Sequence, residues 1–395
     1  MINSRTYAQI DLDALAHNVK IITGILRGGS KLMAVVKADA YGHGAVFAAR
    51  EFAACGVDFF GVSSVDEAVQ LRENGITQNI LVLGYTVPNA ENANKLIKHN
   101  ITQTIFDPEQ IRHLSELAGS RSIKAHIKIN TGMNRLGFSW TEKNKDFNTV
   151  DSIKKTAGLK NIELEGIFTH FADADNTEPD FTNRQFELFC EIIMILKNEN
   201  IYFKFKHAAN SAAALNFGET HLDIARCGLV LYGLYPKKNM RDIGLVPAMR
   251  LKTTVSQILK IKQGETVSYS RSYTAPRDLT AAALPIGYAD GFLRSMSNSA
   301  EVIINGKHAP VIGRVCMDQC VVDVSNCGDV KPGDSVTVFG REGGECIGVE
   351  QLADIGGSIN YEVVCLVGKR VPRIYYKNGQ ETGYLNYIKP QVPVV

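Results

Sequence analysis

KLMAVVKADAYGHG, residues 31–44, is the stretch around which the rest of this chain is organised. Its apolar, partly β-branched run Leu32–Val36 is typical of a strand that is covered on both faces. Two glycines then mark a turn into a helical stretch, Ala45–Cys55. The pattern therefore predicts that Lys37 stands at the carboxyl end of a buried strand.

Lys37 has two interpretations. A lysine at the end of a strand often only reaches solvent. Held in a water-poor cleft, its amine would lose its proton more readily, and a free amine condenses with an aldehyde to form a Schiff base. On that second interpretation, Tyr41 is placed to pack beside the bound group.

Composition bounds the class of protein. With 395 residues, 45% hydrophobic and 21% charged, the chain is an ordinary globular sequence long enough for two domains. A net charge of +2 and a single tryptophan give no support for nucleic-acid binding. No apolar run approaches the roughly 20 residues of a membrane span, so we expect no membrane partner.

Terminal and cysteine patterns predict a cytoplasmic protein. The first residues lack an apolar core of signal-peptide length, since Asp11 and Asp13 interrupt it. The eight cysteines are scattered without CxxC pairs, which favours free thiols in a reducing compartment. The nine histidines show no HxH or HxxxH spacing, so no metal site is expected.

Short apolar strands alternate with helical stretches over the first part of the chain. Such alternation predicts an α/β fold with an N-terminal (β/α)8 barrel, residues 1–244, whose site lies at the carboxyl ends of the strands. After Pro247 the sequence pattern changes to short strands and turns, which predicts a mainly β domain, residues 245–395. The barrel strands expected are Leu32–Lys37, Phe59–Val62, Ile80–Leu83, Thr102–Phe106, Lys124–Ile129, Glu165–Thr169, Phe203–His207 and Ile224–Cys227.

Reactive side chains cluster at the predicted strand ends, as a barrel requires. Lys37 ends the first strand and Arg135 follows the fifth. His170 ends the sixth, His207 ends the seventh, and Arg226 lies at the eighth. These side chains should therefore meet at one mouth of the barrel.

The segments after the last two strands favour a phosphate site. Asn210 and Ser211 open a helix after the seventh strand, and Gly228 and Leu229 follow the eighth. A helix start offers backbone N–H groups and a favourable dipole to an anion, and barrels often bind phosphate at these two loops. The alternative for Asn210 and Ser211 is a plain helix N-cap.

The 31–44 segment resembles the pyridoxal-phosphate-binding segment of alanine racemases, in which the lysine carries the cofactor. The resemblance recurs in order along residues 5–375, at NTGMNRLGF, HAANSAAAL, RCGLVLYG, SYSRSYTAP and GRVCMDQ. It implies a pyridoxal 5'-phosphate enzyme that interconverts L- and D-alanine, supplying D-alanine for peptidoglycan. It also implies a cytoplasmic homodimer with shared active sites.

The resemblance assigns cofactor contacts to residues of both domains. Among them, Arg226 would face the pyridine nitrogen and leave it unprotonated, which weakens the ring as an electron sink and suits a racemase. On the motif RCGLVLYG alone, the better interpretation of Arg226 is an arginine in a strand-end ion pair. The implied cofactor-binding residues are Lys37, Tyr41, Leu83, Arg135, His170, Asn210, Ser211, Arg226, Gly228, Leu229 and Tyr361.

Racemisation needs one proton carrier on each face of the planar intermediate. The resemblance implies Lys37 on one face and Tyr269, lent by the second subunit of a head-to-tail dimer, on the other. A tyrosine acts as a base near neutral pH only when nearby positive charge lowers the pKa of the phenol. His170, hydrogen-bonded to Arg226 in the family, would relay that charge, although a lone strand-end histidine is often structural.

The substrate pocket is also assigned by resemblance. The backbone N–H of Met317 would bind the substrate carboxylate, and Arg135 would orient it. Lys128 matches a position that is carbamylated in many family members and supports Arg135. Asn130 departs from the aspartate common at its position. The implied substrate-binding residues are Arg135, Met317, Tyr269, Cys316, Asp318 and Tyr288.

Two alternatives remain open at this point. One is a racemase of the same fold that acts on serine, lysine or another amino acid. The other is a non-catalytic barrel that stores pyridoxal phosphate. The second needs Lys37 and the phosphate loops but has no use for Tyr269, so the two are distinguished by replacing that tyrosine.

Overall fold

The computed structural model describes residues 4–145, 147–176, 178–238 and 240–389. The chain groups into two compact units. The barrel unit comprises the described parts of Leu15–Ala40 and Ala45–Leu245, and the β unit those of Met1–Ala14, Tyr41–Gly44 and Val246–Val395. This division differs from a single cut between residues 244 and 245, because an N-terminal segment and a four-residue insertion group with the β unit.

Eight parallel strands form the ring of the barrel unit. After β1 (Thr6–Asp11) of the β unit, the chain contributes β2 (Lys31–Val35), β3 (Phe59–Val62), β4 (Asn79–Val82), β5 (Thr102–Ile105), β6 (Ile123–Asn130), the side strands β7 (Phe138–Thr141) and β8 (Asn144–Lys145), β9 (Ile162–Phe168), β10 (Phe205–His207) and β11 (Ile224–Cys227). The pairing order is β10-β9-β6-β5-β4-β3-β2-β11. Backbone bonds from Asp223 N to Lys206 O and from Arg226 N to Ala209 O, each 3.0 Å, join the seventh and eighth ring strands.

Helices connect the ring strands in sequence. They are α1 (Leu12–Ile25), α2 (Lys37–Tyr41), α3 (Ala45–Ala54), α4 (Val65–Glu73), α5 (Ala90–Lys98), α6 (Pro108–Ala118), α7 (Phe147–Ala157), α8 (Asp180–Asn198) and α9 (Ser211–Asn216), with 3-10 turns at Gly218–Thr220 and Leu229–Tyr232. α6 shows why they form: Asp107 caps it, Pro108 opens it, and Ile111, Leu114 and Ala118 bury one face. None of the described helices combines the length and apolar character of a membrane span.

The main sheet of the β unit contains β1 from the start of the chain and strands from its last third. Its later strands are β12 (Met249–Thr254), β13 (Gln257–Ile261), β14 (Thr266–Val267), β15 (Tyr273–Thr274), β16 (Leu279–Leu284), β17 (Glu301–Ile304), β18 (Lys307–Pro310), β19 (Cys320–Asp323), β20 (Ser335–Glu342), β21 (Glu345–Ile347), β22 (Arg373–Lys377) and β23 (Gln380–Leu385), with helices α10 (Val349–Gly356) and α11 (Asn360–Cys365) and 3-10 turns at Tyr269–Arg271, Tyr288–Asp290 and Arg294–Met296. The main sheet runs β18-β17-β20-β12-β1-β22-β23. Because β1 pairs with β12 and β22, the first residues belong to this unit.

The turn after β2 is left-handed, which the sequence does not suggest. β2 ends at Val35, so Lys37 is not the last residue of the strand but the first of α2. The next four residues, 38–41, all have φ between 52° and 55°. For residues other than glycine this conformation costs about 1–2 kcal/mol each, so it persists only where surrounding contacts hold it.

Two glycines that follow this turn belong to the β unit. A side chain on Gly42 would place Cβ 2.2 Å from the Val364 carbonyl oxygen, and one on Gly44 would meet the Tyr375 hydroxyl at 1.8 Å. Both glycines also have positive φ. Close approach and backbone conformation therefore both require glycine at these positions.

Candidate active site

Arg226 is the centre of a buried hydrogen-bond network in the barrel unit. It lies on β11 and is buried. Its Nη2 donates to the carbonyls of Thr169 at 2.8 Å and Ala208 at 3.0 Å, and to His170 Nδ1 at 3.1 Å. Its Nη1 donates to His207 Nδ1 at 3.1 Å. The guanidinium is thus held in one orientation by residues at the carboxyl ends of two ring strands, β9 and β10.

These contacts decide which nitrogen of each histidine carries the proton. A guanidinium can only donate, so Nδ1 of His170 and Nδ1 of His207 must accept. His207 therefore carries its proton on Nε2 and donates to His126 Nδ1 at 2.9 Å. His170 likewise presents a protonated Nε2. Arg226 is linked to His126 through a chain of neutral rings.

Burial and positive charge keep these rings neutral. Burial is the largest cause in each case, followed by the charge of Arg226, and the pKa of His126 falls to about 3. The pKa values of His170 and His207 also fall well below their ordinary value. The His126 ring lies against Gly166, where a Cβ would approach it to 2.6 Å. Glycine is therefore required opposite this histidine.

We expect stability to depend on pH because of these three histidines, residues 126, 170 and 207. The unfolded chain takes up their protons below its pKa of about 6.5, whereas the folded chain does not, so the stabilisation present above that pH is lost as pH falls. Lowering the pH from 7.5 to 5.5 should reduce the free energy of unfolding by about 1.4 kcal/mol for each ring, about 4 kcal/mol together. Urea denaturation at both pH values measures this difference.

The matched variant for that measurement is His126→Asn, whose amide oxygen can accept the same bond from His207. It should lose about one third of the pH-dependent difference, since one of three non-titrating rings is removed. A free energy of unfolding that is equal at pH 7.5 and 5.5 would contradict the assignment of neutral rings.

Several positive charges lie near His170. Arg226, Lys128, Arg135 and Lys37 all lower the pKa of His170 through their charge, after burial itself. Every charged group named in that shift is a cation. Charges of one sign in a region of low dielectric are stabilised by bound anions, so this mouth of the ring is suited to a ligand that carries negative groups.

Lys128 is buried on β6 with a lowered pKa. Burial is the main cause, and the charges of Arg226 and Arg135 add to it. Its Nζ donates to the Ile129 carbonyl at 2.6 Å and lies 5.5 Å from the centre of the Phe168 ring. A lysine in this environment favours the neutral amine, which is the nucleophilic form.

Asn130 organises the loop that carries Arg135. Its Oδ1 accepts from Gly132 N at 3.1 Å and from Asn134 N at 2.9 Å, while its Nδ2 donates to Asn134 Oδ1 at 3.0 Å. A carboxylate has no donor for the third bond, so the asparagine adds a contact that the aspartate common in the family lacks. Arg135 itself is exposed.

The predicted phosphate segments are joined to each other. Asn210 caps α9, and its side-chain oxygen accepts from Ala213 N at 2.9 Å. The alternative role of Asn210 as a helix N-cap is therefore observed. The Ser211 hydroxyl accepts from Gly228 N at 2.9 Å, which ties the loop after β10 to the loop after β11. Leu229 is fully buried at the start of the 3-10 turn.

Leu83 follows β4 and lines the ring interior. It packs against the buried cluster of Met33, Phe59, Leu81 and Ile224. Its backbone N–H donates to the Val62 carbonyl at 2.8 Å. Leu83 thus adds a partly buried apolar side chain at the end of β4.

The remaining predicted residues lie in the β unit. Tyr41 and Tyr361 come together there, with ring centres 6.2 Å apart. Tyr269, Met317 and Tyr288 are large and exposed, at 72%, 53% and 41% of their surface. Side chains of this size and exposure are free to contact a second molecule.

Tyr269 projects from a strained turn. Ser268, Ser270 and Arg271 around it have φ of 65°, 60° and 50°. The Ser268 hydroxyl donates to the Arg314 carbonyl at 2.7 Å and lies 3.5 Å from the Cys316 thiol. Tyr269 is therefore displayed by a turn that is anchored to the segment containing Cys316 and Met317.

An ion network that the sequence analysis missed supports the same segment. The buried carboxylate of Asp290 accepts from Arg370 Nε at 2.7 Å and Nη2 at 3.0 Å, and from Gly287 N at 3.0 Å. Arg370 also contacts Asp318 at 2.7 Å. The Tyr288 and Ala289 N–H groups donate to the carbonyls of the Cys316–Met317 segment. No local sequence signal links these positions, which are far apart along the chain.

Among the described residues, no three His, Cys, Asp or Glu side chains gather as metal ligands would. The eight cysteines all lie among the described residues, and none forms a disulfide.

Comparisons with known proteins give the same family along nearly the whole chain. The family profile described as alanine racemase, N-terminal domain, matches residues 10–236, and that described as alanine racemase, C-terminal domain, matches residues 248–375. The chain is 44% identical to the alanine racemase of Methanococcus maripaludis over 380 residues, covering 95% of this chain and 100% of the relative.

Solved structures agree with the sequence relatives. The alanine racemase of Clostridium difficile 630 superposes with a TM-score of 0.92 at 36% identity, covering 98% of this chain and 100% of that one. The alanine racemase of Bacillus anthracis with bound L-Ala-P superposes with a TM-score of 0.91 at 35% identity, covering 98% and 99%. The likeness therefore includes both units.

Proposed function

This chain belongs to the alanine racemase family, and we propose that it interconverts L- and D-alanine with pyridoxal phosphate and two proton-transferring residues, Lys37 and Tyr269 of the partner subunit. The observation that carries the proposal is the group of cations around His170: buried Arg226 donates a hydrogen bond to it, and the charges of Arg135 and Lys37 also lower its pKa. Such a site suits a ligand with a phosphate and a carboxylate.

The residues present fit pyridoxal phosphate. The amine of Lys37 supplies the group that condenses with its aldehyde, and the linked loops at Ser211 and Gly228 lie where barrels bind phosphate. The fixed guanidinium of Arg226 suits an unprotonated ring nitrogen. When bound, the cofactor withdraws electrons from the α-carbon of an attached amino acid and so acidifies its proton.

His170 connects Arg226 to the second proton carrier. Because its Nδ1 accepts from Arg226, its Nε2–H is the donor left for Tyr269 of the partner subunit. A hydrogen bond to a phenolate oxygen stabilises the charged form and so favours the tyrosine as a base. The neutral ring thus acts by donating this bond, with Arg226 polarising it.

The substrate carboxylate is assigned to cations and backbone donors. We propose that Arg135 orients it and that the backbone N–H of Met317 of the partner subunit binds it. Lys128, whose pKa burial lowers, is the candidate for carbamylation, which would place a negative charge beside Arg135. The roles in D-alanine supply for peptidoglycan and in the cytoplasm stay predictions from the resemblance.

Racemisation of a panel of L-amino acids tests this function. Purified protein with pyridoxal phosphate should convert L-alanine to an equal mixture of enantiomers faster than it converts L-serine or L-lysine. Borohydride reduction should fix the cofactor on the peptide that contains Lys37, as shown by mass spectrometry, and Lys37→Ala should prevent both results. A preference for serine or lysine would assign a different substrate; cofactor on Lys37 without any racemisation would favour the storage protein.

A further inference from the structure

Hydrogen bonds within the barrel unit hold the left-handed turn that follows Lys37, and one of them comes from the side chain of another helix. Glu67 Oε1 accepts from Ala38 N at 2.8 Å, directly after Lys37. Asp39 Oδ1 accepts from Ala45 N at 2.8 Å, and Ala40 N donates to the Val36 carbonyl at 2.8 Å. Of these contacts, the one from Glu67 reaches the turn from 29 residues away, at the start of α4.

Glu67 is more than a helix-capping residue. Ser64 caps α4 by accepting from Glu67 N at 3.2 Å, and in the usual capping box the glutamate would return its carboxylate to the N–H of the cap residue. Here the carboxylate instead accepts from Ser63 N at 2.6 Å and from Ala38 N. It therefore bridges the loop after β3 to the turn after β2.

We propose that Glu67 is a positioning residue for Lys37, holding the left-handed turn so that the lysine amine stays aligned for proton transfer. The inference rests on the proposed function of Lys37 as one of two proton carriers. A carboxylate that accepts two backbone N–H groups makes strong, directional bonds. Displacement of a catalytic group by about 1 Å can reduce the rate 10²-fold. A small shift of the backbone next to Lys37 is therefore expected to lower the rate.

Glu67→Gln tests the proposal with Ser64→Ala as the matched control. The glutamine oxygen can accept only one of the two bonds and turns its NH2 toward the other donor, whereas Ser64→Ala removes the cap of the same helix and leaves the Ala38 contact. We expect kcat to fall about 10- to 100-fold in Glu67→Gln. Ser64→Ala should retain kcat within about twofold, since an N-cap is mainly a stability term.

Isotope effects separate positioning of Lys37 from a general structural loss. The two-base proposal assigns removal of the α-proton of L-alanine to Tyr269 and removal of that of D-alanine to Lys37. The deuterium isotope effect with α-deuterated D-alanine should therefore rise in Glu67→Gln, with a smaller change for L-alanine. Equal changes in both directions, or equal effects in Ser64→Ala, would overturn the proposal.

Amide hydrogen exchange gives a readout that does not depend on activity. In the full-length protein, with or without added pyridoxal phosphate, exchange across residues 37–44 should accelerate at least 10-fold in Glu67→Gln and stay unchanged in Ser64→Ala. Ala38→Gly, which removes the steric cost of positive φ, should restore part of the lost kcat in the double variant. Unchanged exchange in Glu67→Gln would overturn the proposal, even if the protein proves to be a racemase.

Borohydride labelling keeps the two hypotheses distinct. If Glu67→Gln still accepts the cofactor on Lys37 and shows the directional isotope effect, the positioning role is supported. If the wild-type protein neither racemises alanine nor labels Lys37, the proposed function has failed, and hydrogen exchange still reports on whether Glu67 holds the turn.

Discussion

Replacing Tyr269 with phenylalanine is expected to lower kcat for alanine racemisation by about 10²- to 10⁴-fold, the usual contribution of a positioned proton carrier. The phenol is 72% exposed on a strained, anchored turn, so its removal leaves the fold of the β unit intact. Because inversion needs a carrier on each face, the loss should affect both directions of the reaction equally.

Solvent exchange shows which face has lost its base. In D₂O, the Tyr269→Phe protein should still exchange the α-proton of D-alanine through Lys37 while its stereochemistry is retained, but should not exchange that of L-alanine. Tyr384→Phe, at another exposed tyrosine of the β unit, is the control and should behave as the wild type. Racemisation at the wild-type rate in Tyr269→Phe, or loss of exchange from both enantiomers, would contradict the two-base assignment.

Where local signals are strong, the sequence predicts the fold closely. Phe59–Val62 and Ile224–Cys227 have the predicted bounds, because short apolar runs act within a few residues of the strands they define. The clustering of Lys37, His170 and Arg226 also follows from strand order alone, since parallel strands present their carboxyl ends together.

Features that depend on distant partners were not predictable. β1 looks like an ordinary strand, and only its partner β12, about 240 residues later, assigns it to the β unit. The sequence ADAY contains no glycine and gives no sign of a left-handed turn, whose cost is offset by contacts from Glu67 and others. Tertiary contacts override local preference at both places.

The histidine network could have been found by a different reading of the strands. His126 and Lys128 are two residues apart on β6 and so share one face, which alternation along a strand predicts. Attention to strand ends alone misses His126, which lies deeper in the ring. The protonation states of His170 and His207 need the observed bonds to Arg226, because the sequence does not specify a tautomer.

The two proposed proton carriers lie in different units, which is why a shared site is proposed. Lys37, His170 and Arg226 belong to the barrel unit, whereas Tyr269, Met317 and Tyr288 are exposed residues of the β unit. In a head-to-tail dimer each barrel would receive these side chains from its partner. Every catalytic centre would then need residues from two chains.

Mixing two inactive variants, Lys37→Ala and Tyr269→Phe, tests this most directly. A hybrid dimer contains one site that joins an intact barrel to an intact tyrosine, so an equal mixture that has exchanged subunits at random should recover about one quarter of wild-type activity. The double variant mixed with wild type is the control, since its hybrids contain no intact site. Recovered activity is the predicted result; a mixture that forms hybrids yet stays inactive would contradict the shared site.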